Sequence, residues 1–113
     1  MPNEKLGMRN EKLGMIYIHY HRDASHHRLH ITGHAGYASE GSDIVCAGVS
    51  ALSMALLAYL QSLQVDTEDF LCRKGELKFR CESDDEIDTA VDVALTGYRI
   101  LAGMYPEYVE VHT

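Results

Sequence analysis

Residues 44–63 contain no charged side chain, and large apolar residues recur through them at Val45, Val49, Leu52, Leu56, Leu57, Leu60 and Leu63. Spacings of three and four are those of a helix. Small residues fill much of the remaining surface, so this helix is expected to be covered on several sides. That demand constrains everything else in a chain of 113 residues. Such a chain holds one domain and a modest core, which association would strengthen.

The cover has to come from the flanking segments, and those read mostly as strands. Residues 15–21 alternate, with Ile16, Ile18 and Tyr20 on one face and Tyr17, His19 and His21 on the other. Residues 28–33 alternate again, with Leu29 and Ile31 inward, so the two segments form a first hairpin across the polar turn at 22–27. A second hairpin is expected around Lys74-Gly75, pairing Arg73 with Glu76, Cys72 with Leu77 and Phe70 with Phe79. In that register Phe70, Cys72, Leu77, Phe79 and Cys81 share the inner face, and Cys72 and Cys81 are not direct cross-strand neighbours, which weakens a disulfide reading. Ser83-Asp84-Asp85-Glu86 reads as a capping box, and Ile87, Val91, Ala94, Tyr98 and Leu101 mark one face of the helix it opens. Gly103 and Pro106 end that helix before a closing strand at 108–111. The order ββαββαβ defines an α+β domain, with two helices packed on a largely antiparallel sheet.

The chemistry-bearing stretch is GHAGYASEGSDIVCAGVS, residues 33–50. It places His34 at the end of a strand and Cys46 in the first turn of the long helix. Between them runs a small-residue loop with Gly36, Tyr37 and Gly41, read as a connector or as a lid over bound peptide. A thiol at a helix N-terminus feels the positive end of the backbone dipole, so Cys46 is expected to be the most acidic of the three thiols and to be alkylated first at mildly acidic pH. A histidine within reach completes the minimum equipment of a cysteine nucleophile. The plain alternatives are a core cysteine and a hydrogen-bonded histidine. Asp43, or Ser42 before it, is the N-cap candidate; residue physics favours the cap for Asp43, and the functional alternative is an orienter of His34 or a group that shapes substrate entry. Ser50 lies one turn after Cys46, either bonded back to its carbonyl or helping to place His34. The first-turn N–H groups around Cys46 are the natural oxyanion donors.

GHAGYA followed by DIVCAGVSAL closely resembles the bacterial ribosomal-processing cysteine protease (Prp) family, with the order of elements similar from about residue 15 onward. The resemblance implies that Cys46 is the nucleophile and His34 the general base and acid. It also implies a homodimer that removes the N-terminal extension of a large-subunit ribosomal protein, with no cofactor. The competing readings are a non-catalytic, ribosome-associated interaction module and a metal-binding protein.

The metal reading rests on His19, His21, His26, His27 and His30, but their spacing matches no standard ligand set, and a solvated strand face accounts for them. A formal net charge of −7 argues against a nucleic-acid partner. No apolar run is free of polar residues for the length of a membrane span, and no secretory signal is visible, so a cytoplasmic protein with free thiols is expected. NEKLGM occurs at 3–8 and again at 10–15. A repeat this short builds no solenoid, so 1–14 is read as a disordered or start-site-derived leader and 15–113 as the single domain.

Overall fold

The structure, a computed structural model, describes residues 14–36 and 43–113. The leader readings for 1–13 and the lid reading for Tyr37 and Gly41 lie outside the described residues. Gly14 belongs to the domain: a Cβ there would lie 3.2 Å from the Ala35 carbonyl oxygen.

Seven elements follow in the expected ββαββαβ order: β1 (Ile16–Arg22), β2 (His26–Gly33), α1 (Ile44–Ser62), β3 (Glu68–Arg73), β4 (Glu76–Glu82), α2 (Asp85–Met104) and β5 (Val109–His112). The sheet order is β3-β4-β2-β1-β5. Three of its pairings are antiparallel, and β5 joins β1 in parallel. That parallel pairing follows from α2, which carries the chain back along the sheet between β4 and β5.

Both helices pack on one sheet face. Ile16 and Ile18 of β1, Leu29 and Ile31 of β2, and Leu77, Phe79 and Cys81 of β4 form one buried cluster. Val45, Val49, Leu56 and Leu60 of α1 join it, with Ile87, Val91, Ala94, Leu95 and Tyr98 of α2. The helices approach closely where a Cβ on Gly97 would lie 2.7 Å from Leu52 Cδ2, so a side chain there would force Leu52 to shift. Inside this contact Tyr98 Oη and Ser53 Oγ bond at 2.7 Å, and Ser53 also donates to the Val49 carbonyl, so the buried hydroxyls are satisfied.

Cover on α1 is narrower than its composition suggests. Val45, Val49, Ser53, Leu56 and Leu60 are buried, whereas Ile44, Met54 and Tyr59 are exposed. By length and composition this helix is apolar enough to cross a membrane, contrary to the sequence reading, but its buried stripe is spent on the sheet and on α2.

Three local expectations change. The second hairpin keeps the pairs Arg73↔Glu76 and Cys72↔Leu77, but a bulge between Glu68 and Leu71, with Asp69 at φ 54°, replaces the expected Phe70–Phe79 pair. On this edge strand Phe70 and Cys72 are exposed, while Leu77, Phe79 and Cys81 are buried as expected. The cap of α2 is Asp84, which accepts from the Ile87 N–H at 2.8 Å; Ser83 instead donates to Asp88 at 2.7 Å. Finally, His27 does not belong to a solvated face. It is 1 % exposed, bonded through Nδ1 to Tyr20 Oη and through Nε2 to Asp88 Oδ1, both at 2.6 Å.

Candidate active site

The chain leaves β2 at Gly33, so His34 and Ala35 emerge at the end of the strand beside the first turn of α1. Asp43 starts that helix. Its Oδ1 accepts from the Val45 N–H at 2.9 Å and the Cys46 N–H at 3.0 Å. Asp43 thus caps the helix, as expected. The same bonds occupy two of the first-turn N–H groups expected to serve as oxyanion donors.

Cys46 is half-buried, and its sulfur accepts from the Ala35 N–H at 3.3 Å. His34 is exposed. The two share one cleft of about 280 Å³, whose walls include Ser50 and Met54 from α1, Cys72 and Arg73 from β3, and Gly75 from the β3–β4 turn. Ser50 is exposed in this wall, whereas Ser53 and Ser62 of the same helix bond back to the Val49 and Tyr59 carbonyls. The thiol, the imidazole and Ser50 are therefore brought together, with Asp43 behind them as the cap. Gly36, at φ 64°, is the last described residue before position 43.

The electrostatics correct the expectation of an acidic Cys46. Burial pushes the thiol up from its ordinary value, and the Asp43 carboxylate adds to this both by hydrogen bonding and by its charge; only the Ala35 N–H pulls the other way. The residue that caps the helix places a negative charge against the position where the dipole would favour one. Cys81 is fully buried, and its thiol is pushed up to about 11, mainly by burial. All three cysteines are free.

Sequence reasoning missed Gly75 and Ala35. The Lys74-Gly75 turn was legible as a turn, but only the pairing of β4 with β2 carries it to the end of the strand that presents His34. The Ala35 N–H is a backbone donor, and no residue type announces it.

Of the histidine-rich segment, His26 lies with Glu68 and Glu82 such that one ligand atom from each falls within 4.8 Å of the others. Arg80 bonds to Glu68 through two nitrogens, however, and His26 Nε2 lies 3.5 Å from the other Glu68 oxygen. Glu68 is thus already paired with the Arg80 guanidinium, which accounts for the cluster as an ion-pair and hydrogen-bond network.

A thiol in the first turn of a helix and an imidazole that lines the same cleft are the groups a cysteine nucleophile requires. Residues 15–110 match the family of cysteine protease Prp, and the chain belongs to that family. It is 27 % identical over 85 residues to the ribosomal processing cysteine protease Prp of Mycoplasma pneumoniae, covering 75 % of this chain and 85 % of that protein. Among solved structures it resembles the essential ribosomal processing protease Prp of S. aureus in complex with a covalently linked product peptide. That likeness has a TM-score of 0.78 at 21 % identity and covers 87 % of this chain and 98 % of the other. It also resembles SMU.848 from Streptococcus mutans, with a TM-score of 0.67 at 30 % identity, covering 87 % of this chain and 92 % of that one.

Proposed function

We propose that this cysteine protease is an endopeptidase in which Cys46 attacks the peptide carbonyl and His34 serves as general base and then general acid. The observation that carries this reading is the cleft shared by the two side chains. Because burial and the Asp43 carboxylate push the thiol up, proton transfer from Sγ to His34 accompanies attack on the carbonyl carbon rather than preceding it. The carbonyl oxygen takes up the electron pair. When the tetrahedral intermediate collapses, the C–N bond breaks and His34 protonates the leaving amine. Water, deprotonated by His34, then hydrolyses the thioester and regenerates the thiol. The Ala35 N–H, which already donates to the sulfur, is the donor placed to stabilise the developing negative charge.

The substrate we propose is the N-terminal extension of a large-subunit ribosomal protein. Support comes from the ribosomal-processing names of the Mycoplasma and S. aureus relatives and from a crystal of the S. aureus protease with a substrate peptide. We further propose a cytoplasmic homodimer. Its support is the apolar surface on the helices, where Met54, Tyr59, Val93, Ile100 and Met104 are exposed. The test is to incubate the protein with a peptide spanning such an extension and follow cleavage by mass spectrometry. Cleavage that disappears in Cys46→Ala is the expected result; cleavage persisting in that variant refutes the nucleophile, and none by the wild type refutes the substrate.

A further inference from the structure

His34 follows the last residue of β2 and is not itself within a strand or helix. An exposed side chain at such a place has several staggered rotamers open to it, and only some of them face a given point. A general base needs one. Misplacement by about 1 Å can cost on the order of a hundredfold in rate. Something must therefore hold the ring.

The neighbour that meets it is backbone. A Cβ built on Gly75 would lie 2.9 Å from His34 Nε2, 3.5 Å from Cε1 and 3.6 Å from Cδ2. The Nε2 edge of the ring thus leans over the Cα of Gly75, in a space that any side chain would invade. The turn that carries Gly75 is itself anchored to the strand that carries His34. The Gly33 N–H donates to the Gly75 carbonyl at 2.9 Å, and Thr32 pairs with Glu76. Arg73 donates to Glu76 Oε1 at 2.7 Å and 3.1 Å, and Glu76 Oε2 bonds to His30 Nε2 at 2.8 Å. Turn, ring and strand end form a single braced unit on the cleft.

We infer that the β3–β4 turn is a positioning device for the His34 imidazole, and that Gly75 is the positioning residue because its missing side chain is the seat of the ring. This rests on the proposed role of His34 as base. The alternative is that Gly75 is required only for its φ of 79°, a left-handed conformation that suits glycine. Asparagine separates the two, since it tolerates left-handed backbone yet carries a Cβ.

The experiment compares wild type, Gly75→Ala and Gly75→Asn in peptide cleavage, thermal unfolding and NMR titration of the His34 ring. The expected result is that both variants lose about a hundredfold in kcat with KM within about twofold. Gly75→Asn should also move the His34 resonances and their titration midpoint while melting within a few degrees of wild type. Wild-type kcat in Gly75→Asn would overturn the inference. Should neither variant fold, the wild type still decides it: a nuclear Overhauser contact between the His34 Cε1 proton and the Gly75 Hα protons is expected, and its absence sinks the proposal. The two readings fail separately. Full cleavage by His34→Ala would remove the base, whereas an inactive His34→Ala beside a fully active Gly75→Asn would leave the base and remove the seat.

Discussion

His27, near the start of β2, and His34, just past its end, have opposite surroundings. His27 is closed in. Its Nε2 bonds to Asp88, whose other oxygen takes the Arg22 guanidinium at 2.7 Å, and its Nδ1 meets Tyr20 Oη. A carboxylate can only accept, so Nε2 carries a proton, and in the neutral imidazole Tyr20 donates to Nδ1. Every polar atom is used, and the space beside it is too small for a substrate, about 10 Å³. His34, about 20 Å away along the strand, is exposed on a cleft with a thiol. Residue type is the same at both ends; what differs is whether the ring has spare hydrogen-bonding capacity and room beside it. A histidine whose two nitrogens are both satisfied inside the fold holds elements together. A histidine left open beside a nucleophile is available for proton transfer.

Mutation can break this contrast. His34→Ala should slow peptide cleavage by about 10²–10⁴-fold with little change in melting temperature. His27→Ala should do the reverse: it strands Tyr20 and Asp88 and opens a cavity, costing about 2–4 kcal/mol, while kcat per folded molecule stays near wild type at low temperature. Denaturant unfolding beside cleavage kinetics reads both. If His27→Ala abolishes cleavage by protein shown to be folded, the two ends are coupled and the contrast is wrong.

The next effect sharpens the cleft end. Asp43→Asn keeps an N-cap acceptor but removes the charge that raises the Cys46 thiol. Its iodoacetamide profile should move to lower pH than in wild type, where Cys46 is expected to react mainly on the alkaline side. Asp43→Ala should produce the same movement and additionally cost about 1 kcal/mol of stability through the lost cap. A wild-type Cys46 that is alkylated fastest at mildly acidic pH would show that a bound or moving group, absent from the resting geometry, makes the thiolate.

The smallest effect concerns acid. Asp88 is held below the ordinary carboxylate value, first by the Ser83 hydroxyl and then by His27 and Arg22. Glu76 is held down by His30 and Arg73, and Glu68 by Arg80. A depressed carboxylate contributes stability that is complete above its unfolded value, about 4, and is lost as pH falls through the lower folded value. Unfolding free energy should therefore fall progressively below about pH 4. Asp88→Asn should flatten part of that slope, whereas His34→Ala should leave it unchanged.

Much of this was legible in the chain itself, for physical reasons. Alternation and three-four spacing record which side of each element meets the core, so the ββαββαβ order and the inner residues Leu29, Ile31, Leu77 and Phe79 followed from pattern. The cap at Asp43 and the turn at Lys74-Gly75 are local hydrogen-bond and dihedral facts, carried by neighbouring residues. The block from His34 to Cys46 gave the family, which residues 15–110 confirm.

Tertiary structure alone decided the rest. Strand order is a matter of which edges meet, so the parallel joining of β5 to β1 and the arrival of Gly75 beside His34 have no local signature. Whether a histidine is buried depends on partners far along the chain, and Asp88, sixty-one residues from His27, is what encloses it. Burial and the capping Asp43 carboxylate likewise push the Cys46 thiol up, and that burial exists only once the elements have packed.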